Sequence, residues 1–245
     1  MTNKAVIQVE NMVKKFGNFT ANDNLNFEVY EGEIFGFLGA NGAGKTTALR
    51  ILCGLSLPTR GKISVAGYDV YRHREKIKKN IGYMSQKFSL YEDLKVYENI
   101  RYYAGIYGLS RGYIKERTDQ LLDKLGLEHV RNKLIQDLPL GWKQKLAFSV
   151  AVFHNPSIVF LDEPTGGVDP ITRRQFWNLI YDASEDGITV FVTTHYMDEA
   201  EYCDRVSIMD LGKIEAIGSP DELKNNYQAS NMDEVFLKIA RKEKV

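Results

Sequence analysis

An α/β fold built on a mainly parallel sheet, with an N-terminal antiparallel β segment and an inserted helical segment, follows from three observations. The first residues read as short β-rich runs divided by turn residues, a middle stretch switches to helical periodicity, and from Ser157 onward strands and helices alternate. Such alternation implies parallel strands joined by crossover helices, because parallel neighbours cannot be joined by a tight turn. At 245 residues the chain is long enough for one such core with a smaller lobe attached.

Residues 5–10 and 25–29 are β-rich, with turn residues at Gly17-Asn18 and Glu31-Gly32, and residues 62–67 are a further strand that ends in a glycine turn. These runs predict a mainly antiparallel sheet. Between them lies an apolar run, residues 34–38, and a helical pattern over 47–52. The basic stretch 72–79, interleaved with Ile77, fits the solvated face of a helix better than a nucleic-acid surface. After a strand at 81–84, helical patterns cover 97–107, 113–125 and 142–153. Strand-like and helical runs then succeed one another at 157–161, 172–184, 189–193, 198–203 and 206–209. In the tail, residues 233–242 carry Val235, Phe236 and Ile239 at helical spacing and should dock as a short helix. The organisation expected is a single domain over 1–245: a core from 1–90 and 155–220, a helical insertion over 91–154, and a helical tail over 221–245. Tyr97, Tyr102, Tyr103, Tyr107 and Tyr113 fit helix-face packing with exposed hydroxyls.

Lysine plus arginine and aspartate plus glutamate each number 32, so no overall field directs the chain onto nucleic acid or anionic lipid. Cys53 and Cys203 lie far apart within apolar patterns, which suits buried thiols in a reducing compartment. Residues 1–10 show no leader pattern, and the longest apolar run, 146–153, is interrupted by Ser149 and too short to span a bilayer. The expectation is a soluble, intracellular chain whose membrane role, if any, comes through a partner.

The sharpest motif is Gly39-Ala40-Asn41-Gly42-Ala43-Gly44-Lys45-Thr46-Thr47, which fits G-x-x-x-x-G-K-[ST] between a strand and a helix. Glycines let successive backbone N–H groups turn inward around an anionic oxygen, and the helix start adds its unpaired N–H groups and the positive end of its dipole. Lys45 can reach the outer phosphates and the Thr46 hydroxyl can join the shell of a Mg²⁺ ion. A nucleoside triphosphate is the ligand this motif predicts, and the parallel sheet becomes the core of a phosphate-loop NTPase. Residues 157–161 form an apolar strand that ends in Asp162 and Glu163. Parallel strands end at the ligand crevice, so Asp162 can hold the Mg²⁺ shell while Glu163 polarises an attacking water. Gln86 and His195 also follow apolar strands and fall on the same edge.

Together these residues resemble the nucleotide-binding subunit of ABC transporters. The phosphate loop, Gln86, Leu161-Asp162-Glu163-Pro164-Thr165, Asp169 and His195 come in that family's order, and the match covers essentially the whole chain. The resemblance implies ATP with Mg²⁺, an adenine stacked on Phe16, Glu163 as general base, Gln86 sensing Mg²⁺ and water, and His195 touching the γ-phosphate. It implies two subunits, identical or close paralogues, clasping two ATP molecules head to tail. Each ATP would lie between one chain's phosphate loop and the other's helix start at Gly141, with Asp169 also at the nucleotide. The stroke would pass to a membrane permease through a groove near residues 88–94, leaving the chain peripheral on the cytoplasmic face of the membrane. His195-Tyr196-Met197-Asp198-Glu199-Ala200-Glu201 and Met232-Asp233-Glu234-Val235-Phe236-Leu237 look like the drug exporter branch with an ABC-2-type permease. A soluble ABC-type ATPase serving an assembly process such as iron–sulfur assembly, or an ATP-binding regulator with little turnover, are the alternatives.

One departure stands out. The helix start that reads Leu-Ser-Gly-Gly in the family is here Leu138-Pro139-Leu140-Gly141, followed by Trp142-Lys143-Gln144. The serine hydroxyl is gone. Pro139 suits the first helical turn, where its missing N–H is not needed, and the Gly141 N–H could still face a phosphate.

Overall fold

A computed structural model describes residues 4–86 and 90–242. Strands β1 (Ala5–Phe16), β2 (Phe19–Tyr30) and β3 (Ile34–Gly39) lead into helix α1 (Lys45–Leu52). Then come β4 (Arg60–Val65), β5 (Tyr68–Asp69), α2 (Arg74–Asn80) and β6 (Ile81–Met84). Three helices follow: α3 (Val96–Ile106), α4 (Arg111–Leu125) and α5 (Leu140–Ala151). The chain returns through β7 (Ile158–Asp162), α6 (Pro170–Glu185), β8 (Thr189–Thr194) and a 3₁₀ turn (Met197–Tyr202). It ends with β9 (Arg205–Asp210), β10 (Lys213–Gly218), α7 (Pro220–Asn226) and α8 (Met232–Lys242).

Two sheets result. One is antiparallel with order β2-β1-β4-β5; the other has order β10-β9-β3-β8-β7-β6, parallel except where β10 meets β9. Strands β3, β7 and β8 are buried along their whole length, as their unbroken apolar runs require of strands covered on both faces. Phe27 of β2 packs against Phe35 and Phe37 of β3 and Phe191 of β8, which fastens the antiparallel sheet over the parallel one, with the apolar side of α1 in the same cluster. The opposite face carries α5 and α6 through Phe148, Phe176, Trp177 and Ile180. The tail helix α8 docks through buried Met232, Val235 and Ile239.

Several elements differ from the sequence reading for identifiable reasons. Strands β1 and β2 run 12 residues each, well beyond 5–10 and 25–29. Their pairing slips between Val9 and Met12 and again between Met12 and Lys14, and each slip breaks the period-2 pattern on which a strand is recognised. Of residues 198–203, those up to Tyr202 form part of the 3₁₀ turn rather than an α-helix, and Cys203 is extended. Strand β10 lies outside the predicted strands, and the helical tail expected over 221–245 divides into α7 and α8; α7 is announced by a capping box in which Ser219 accepts from the Glu222 N–H and the Glu222 carboxylate accepts from the Ser219 N–H. Pro139 is the N-cap of α5 rather than a residue of its first turn. Helix α2 exposes Lys76 and Lys79, leaves Arg74 and Lys78 half-buried and buries Ile77, and both cysteines are buried and free. Tyr102 and Tyr113 are exposed, whereas Tyr107 lies flat on His154 with ring centroids 3.5 Å apart. Among the described residues no helix is long and apolar enough to cross a membrane. Of the expected groove at 88–94, Phe88 and Ser89 lie outside the described residues.

Candidate functional site

The carboxyl ends of β3, β6, β7 and β8 bring the site together. Parallel pairing sets Asp162 opposite Thr193, Leu38 opposite Thr194 and Met84 opposite Leu161, so the residues that follow these strands share one edge. Gly39 closes β3, and Lys45 opens α1 behind Gly44. Gly44 has φ +102°, and a Cβ there would come 2.3 Å from the Ala21 carbonyl oxygen. Only glycine fits so near another backbone in that left-handed conformation. Asn22, fully buried, donates from Nδ2 to the Gly44 carbonyl at 3.1 Å and ties the loop to β2. Ala43 is buried and Gly42 has φ +86°, while Asn41 and Thr46 are exposed and Thr47 is half-buried.

Lys45 is 4% exposed and donates to the carbonyl oxygens of Gly39 at 2.8 Å and Ala40 at 3.2 Å. Its Nζ also lies 3.3 Å from Glu163 Oε1. The other oxygen of Glu163 has two partners: it accepts from Gln86 Nε2 at 3.0 Å and contacts His195 Nδ1 at 3.0 Å. Three residues, one from the phosphate loop after β3 and one each beyond β6 and β8, thus converge on the carboxylate that follows β7. Its backbone is held as firmly, with the Glu163 N–H donating to the Thr193 carbonyl at 3.0 Å and to Thr193 Oγ1 at 3.1 Å. Glu163 adopts φ +49°, a conformation that costs a residue with a Cβ about 1 kcal/mol or more and persists where its surroundings enforce it.

Beneath this cluster Asp162 is buried and accepts from Thr193 Oγ1 at 2.7 Å and Thr46 Oγ1 at 3.2 Å. Burial holds its carboxyl above the usual range; the two hydroxyls and Lys45 act the other way, and the neighbouring Glu163 carboxylate adds to the rise. Among the described residues no group of three or more His, Cys, Asp and Glu side chains forms a metal cage. One carboxylate and one hydroxyl, both hard oxygen donors, do suit Mg²⁺, which keeps waters and takes its remaining ligands from phosphates. The raised Asp162 carboxyl fits as well, since a cation there would offset its burial.

The remaining candidates lie apart from Glu163. Phe16 is 55% exposed at the end of β1, and Lys14 Nζ stands over its ring at 4.8 Å from the centroid. Asp169 caps α6: it accepts from the N–H groups of Ile171 and Thr172, each at 3.0 Å, and from Thr172 Oγ1 at 2.6 Å. Gly141 is the second residue of α5 and packs on the same helix start, where a Cβ would meet Thr172 Cγ2 at 2.5 Å. Gly141 and Asp169 share a surface cavity of about 260 Å³, in which Pro139, Leu140 and Thr172 also take part. Among the described residues no side chain caps α5. Thr193 and Asn22 escaped sequence reading. Thr193 looks like any strand residue, and its place opposite Asp162 appears only once β7 and β8 are paired; Asn22 sits in a strand with no motif around it.

The ABC transporter family pattern matches residues 22–166, more than half of the chain. Over 241 residues the chain is 46% identical to the probable multidrug ABC transporter ATP-binding protein YbhF of Escherichia coli, covering 96% of this chain and 42% of that protein. It therefore spans about two fifths of the length of that relative. Among solved structures, an ATP-binding subunit of an ABC transporter superposes with a TM-score of 0.86 at 28% identity, covering 96% of this chain and 99% of that one. An ATP-binding cassette in a dimeric, post-hydrolysis state with ADP and Pi gives 0.79 at 28% identity, covering 87% and 98%. With its two sheets, its phosphate loop and this match, the chain belongs to the ABC transporter family as one of its ATP-binding cassettes.

Proposed function

We propose that this cassette hydrolyses ATP to drive an exporter of drugs or other hydrophobic compounds. The observation that carries the chemistry is the meeting of Lys45, Gln86 and His195 on the Glu163 carboxylate at the ends of four strands. Lys45 and the loop N–H groups bind the triphosphate, and Phe16 stacks on the adenine. Thr46, Asp162 and Gln86 would hold Mg²⁺, which when bound neutralises charge on the outer phosphates. Glu163 takes a proton from the attacking water as its oxygen bonds to the γ-phosphorus and the bond to the ADP oxygen breaks. Gln86 and His195 hold that carboxylate in place, and His195 would contact the γ-phosphate of bound ATP.

The working unit in this reading is a pair of cassettes. Each clasps ATP between one phosphate loop and the partner's α5 start, where the Gly141 N–H and the helix dipole face the phosphate without a serine hydroxyl. Asp169, on the same surface as Gly141, lies at that junction. Similarity to a dimeric cassette with ADP and Pi supports the pairing, and similarity to a multidrug transporter protein supports the exporter assignment. The permease is of the ABC-2 type, and through it the chain sits on the cytoplasmic face of the membrane.

The test is Lys45→Ala with thermal unfolding at rising ATP. Wild type should gain stability as ligand saturates the folded state, by about 2.7 kcal/mol at a hundredfold excess over the dissociation constant. The variant should lose most of that gain. Equal gains would remove the phosphate loop from the binding site.

A further inference from the structure

Glu199 is fully buried, a costly place for a carboxylate, and no role above calls for it. We infer that Glu199 is a positioning residue for the Glu163 carboxylate, tying the turn that bears Glu163 to the turn that bears His195. The inference rests on the reading of Glu163 as general base.

The geometry is specific. Thr165, two residues after Glu163 and itself 1% exposed, donates from Oγ1 to Glu199 Oε1 at 2.5 Å. Glu199 lies within the 3₁₀ turn Met197–Tyr202, which begins two residues after His195. Arg173 of α6 stands against the same carboxylate, with Nε 3.6 Å from Oε1, and its Nη1 reaches Asp198 Oδ2 at 3.3 Å. The guanidinium covers the Tyr196 ring at 4.3 Å, and that ring packs on His195 with centroids 4.1 Å apart. An unbroken chain of contacts therefore runs from Thr165 through Glu199, Arg173 and Tyr196 to His195, and His195 closes it on Glu163.

Strain explains why such a tie is useful. Glu163 holds a left-handed backbone conformation, and the turn after it is closed by the Gly166 N–H donating to the Glu163 carbonyl at 3.2 Å. Gln144 of α5 donates to the Gly166 carbonyl at 3.2 Å from one side, and Glu199 fixes Thr165 from the other. A charged acceptor makes the stronger hydrogen bond to a hydroxyl, so a carboxylate holds Thr165 more firmly than a neutral group would. Glu199 Oε2 is buried and has no hydrogen-bond partner among the described residues. A side chain chosen for stability alone would not leave that atom unpaired.

The experiment compares ATP turnover, KM for ATP, ATP binding and thermal unfolding for wild type, Glu163→Gln, Thr165→Val, Thr165→Ser and Thr165→Val with Glu199→Gln. Thr165→Val keeps the shape of the side chain and removes the hydroxyl; the double variant also removes the stranded charge, so that a folded protein is obtained. Displacing a reacting group by about 1 Å can cost about 10²-fold in rate, so kcat should fall about 10-fold to 10²-fold in both. KM and ATP binding should stay within about two-fold, as expected when an interaction acts on the chemical step alone. Thr165→Ser, which restores the hydroxyl, should recover kcat. If the double variant is folded and its kcat matches wild type, or if KM rises while kcat holds, the positioning role is overturned. Full turnover by Glu163→Gln would instead overturn the base assignment itself, and absence of turnover in wild type would overturn both.

Discussion

Asp162→Asn should make the nucleotide-free protein more stable while disabling its response to Mg²⁺. The carboxylate is 2% exposed, and its pKa is raised chiefly by burial, against the pull of the Thr193 and Thr46 hydroxyls. A carboxyl whose folded pKa lies above its unfolded value binds its proton more tightly when folded. Stability therefore falls as pH rises from the ordinary aspartate value through the folded one, and at neutral pH the ionised group works against folding. Asparagine keeps an acceptor for both hydroxyls, so each bond changes from charged to neutral at a cost of about 1 kcal/mol. Relief of burying the ion is worth several kcal/mol, which leaves a net gain of about 1–2 kcal/mol. For a chain of this size about 2–4 °C accompanies each kcal/mol, so Tm should rise by about 2–8 °C in chelator without nucleotide. In calorimetry with ATP, the further rise that Mg²⁺ adds to wild type should be absent from the variant. A lower Tm in chelator, or a Mg²⁺-dependent rise equal to wild type, would refute the argument.

Two further outcomes follow from other parts of the molecule. Burial pushes the His154 pKa down to about 4 from an ordinary 6.5, against the contact of its Nε2 with the Ile81 carbonyl, so its contribution is complete above that ordinary value and is lost as pH falls towards about 4. His154→Phe keeps the stack on Tyr107 without titrating, and its urea midpoint should drop less than that of wild type between neutral pH and pH about 5; equal drops would dismiss His154 as an acid-sensitive element. At the start of α5, Pro139→Ser with Leu140→Gly should restore a charge-assisted hydrogen bond worth about 1.5–3 kcal/mol and tighten ATP-driven pairing roughly ten- to hundred-fold. Light scattering with ATP and Mg²⁺ would detect it, and weaker pairing with slower turnover would mean that Pro139 and Leu140 make favourable contacts of their own.

The parts of this fold that could be read from the sequence are those where local pattern and burial agree. Strands β3, β7 and β8 are covered on both faces, so their apolar runs stand out, and each ends in a residue whose chemistry is recognisable: Gly39, Asp162 and His195 just beyond Thr194. The convergence on Glu163 needed more. That Gln86 and His195 meet the same oxygen depends on strand order β3-β8-β7-β6, and single strands do not encode their neighbours. The hydroxyl of Thr193 and the buried Glu199 act through partners 31 and 34 residues away in sequence, beyond any local pattern. Slips in β1 and β2 concealed half of the antiparallel sheet, because a bulge shifts every following side chain to the opposite face.

Glu163→Gln, measured for ATP binding and ATP turnover in the same preparation, tests the central claim most directly. The amide keeps the shape of the side chain and can still contact Gln86 and His195, but it cannot accept a proton from water. Turnover should fall by about 10²–10⁴-fold while ATP binding persists, and the trapped nucleotide should hold two cassettes together. Turnover within a few-fold of wild type would contradict the account, because the carboxylate on which Lys45, Gln86 and His195 converge would then not be the group that takes the proton.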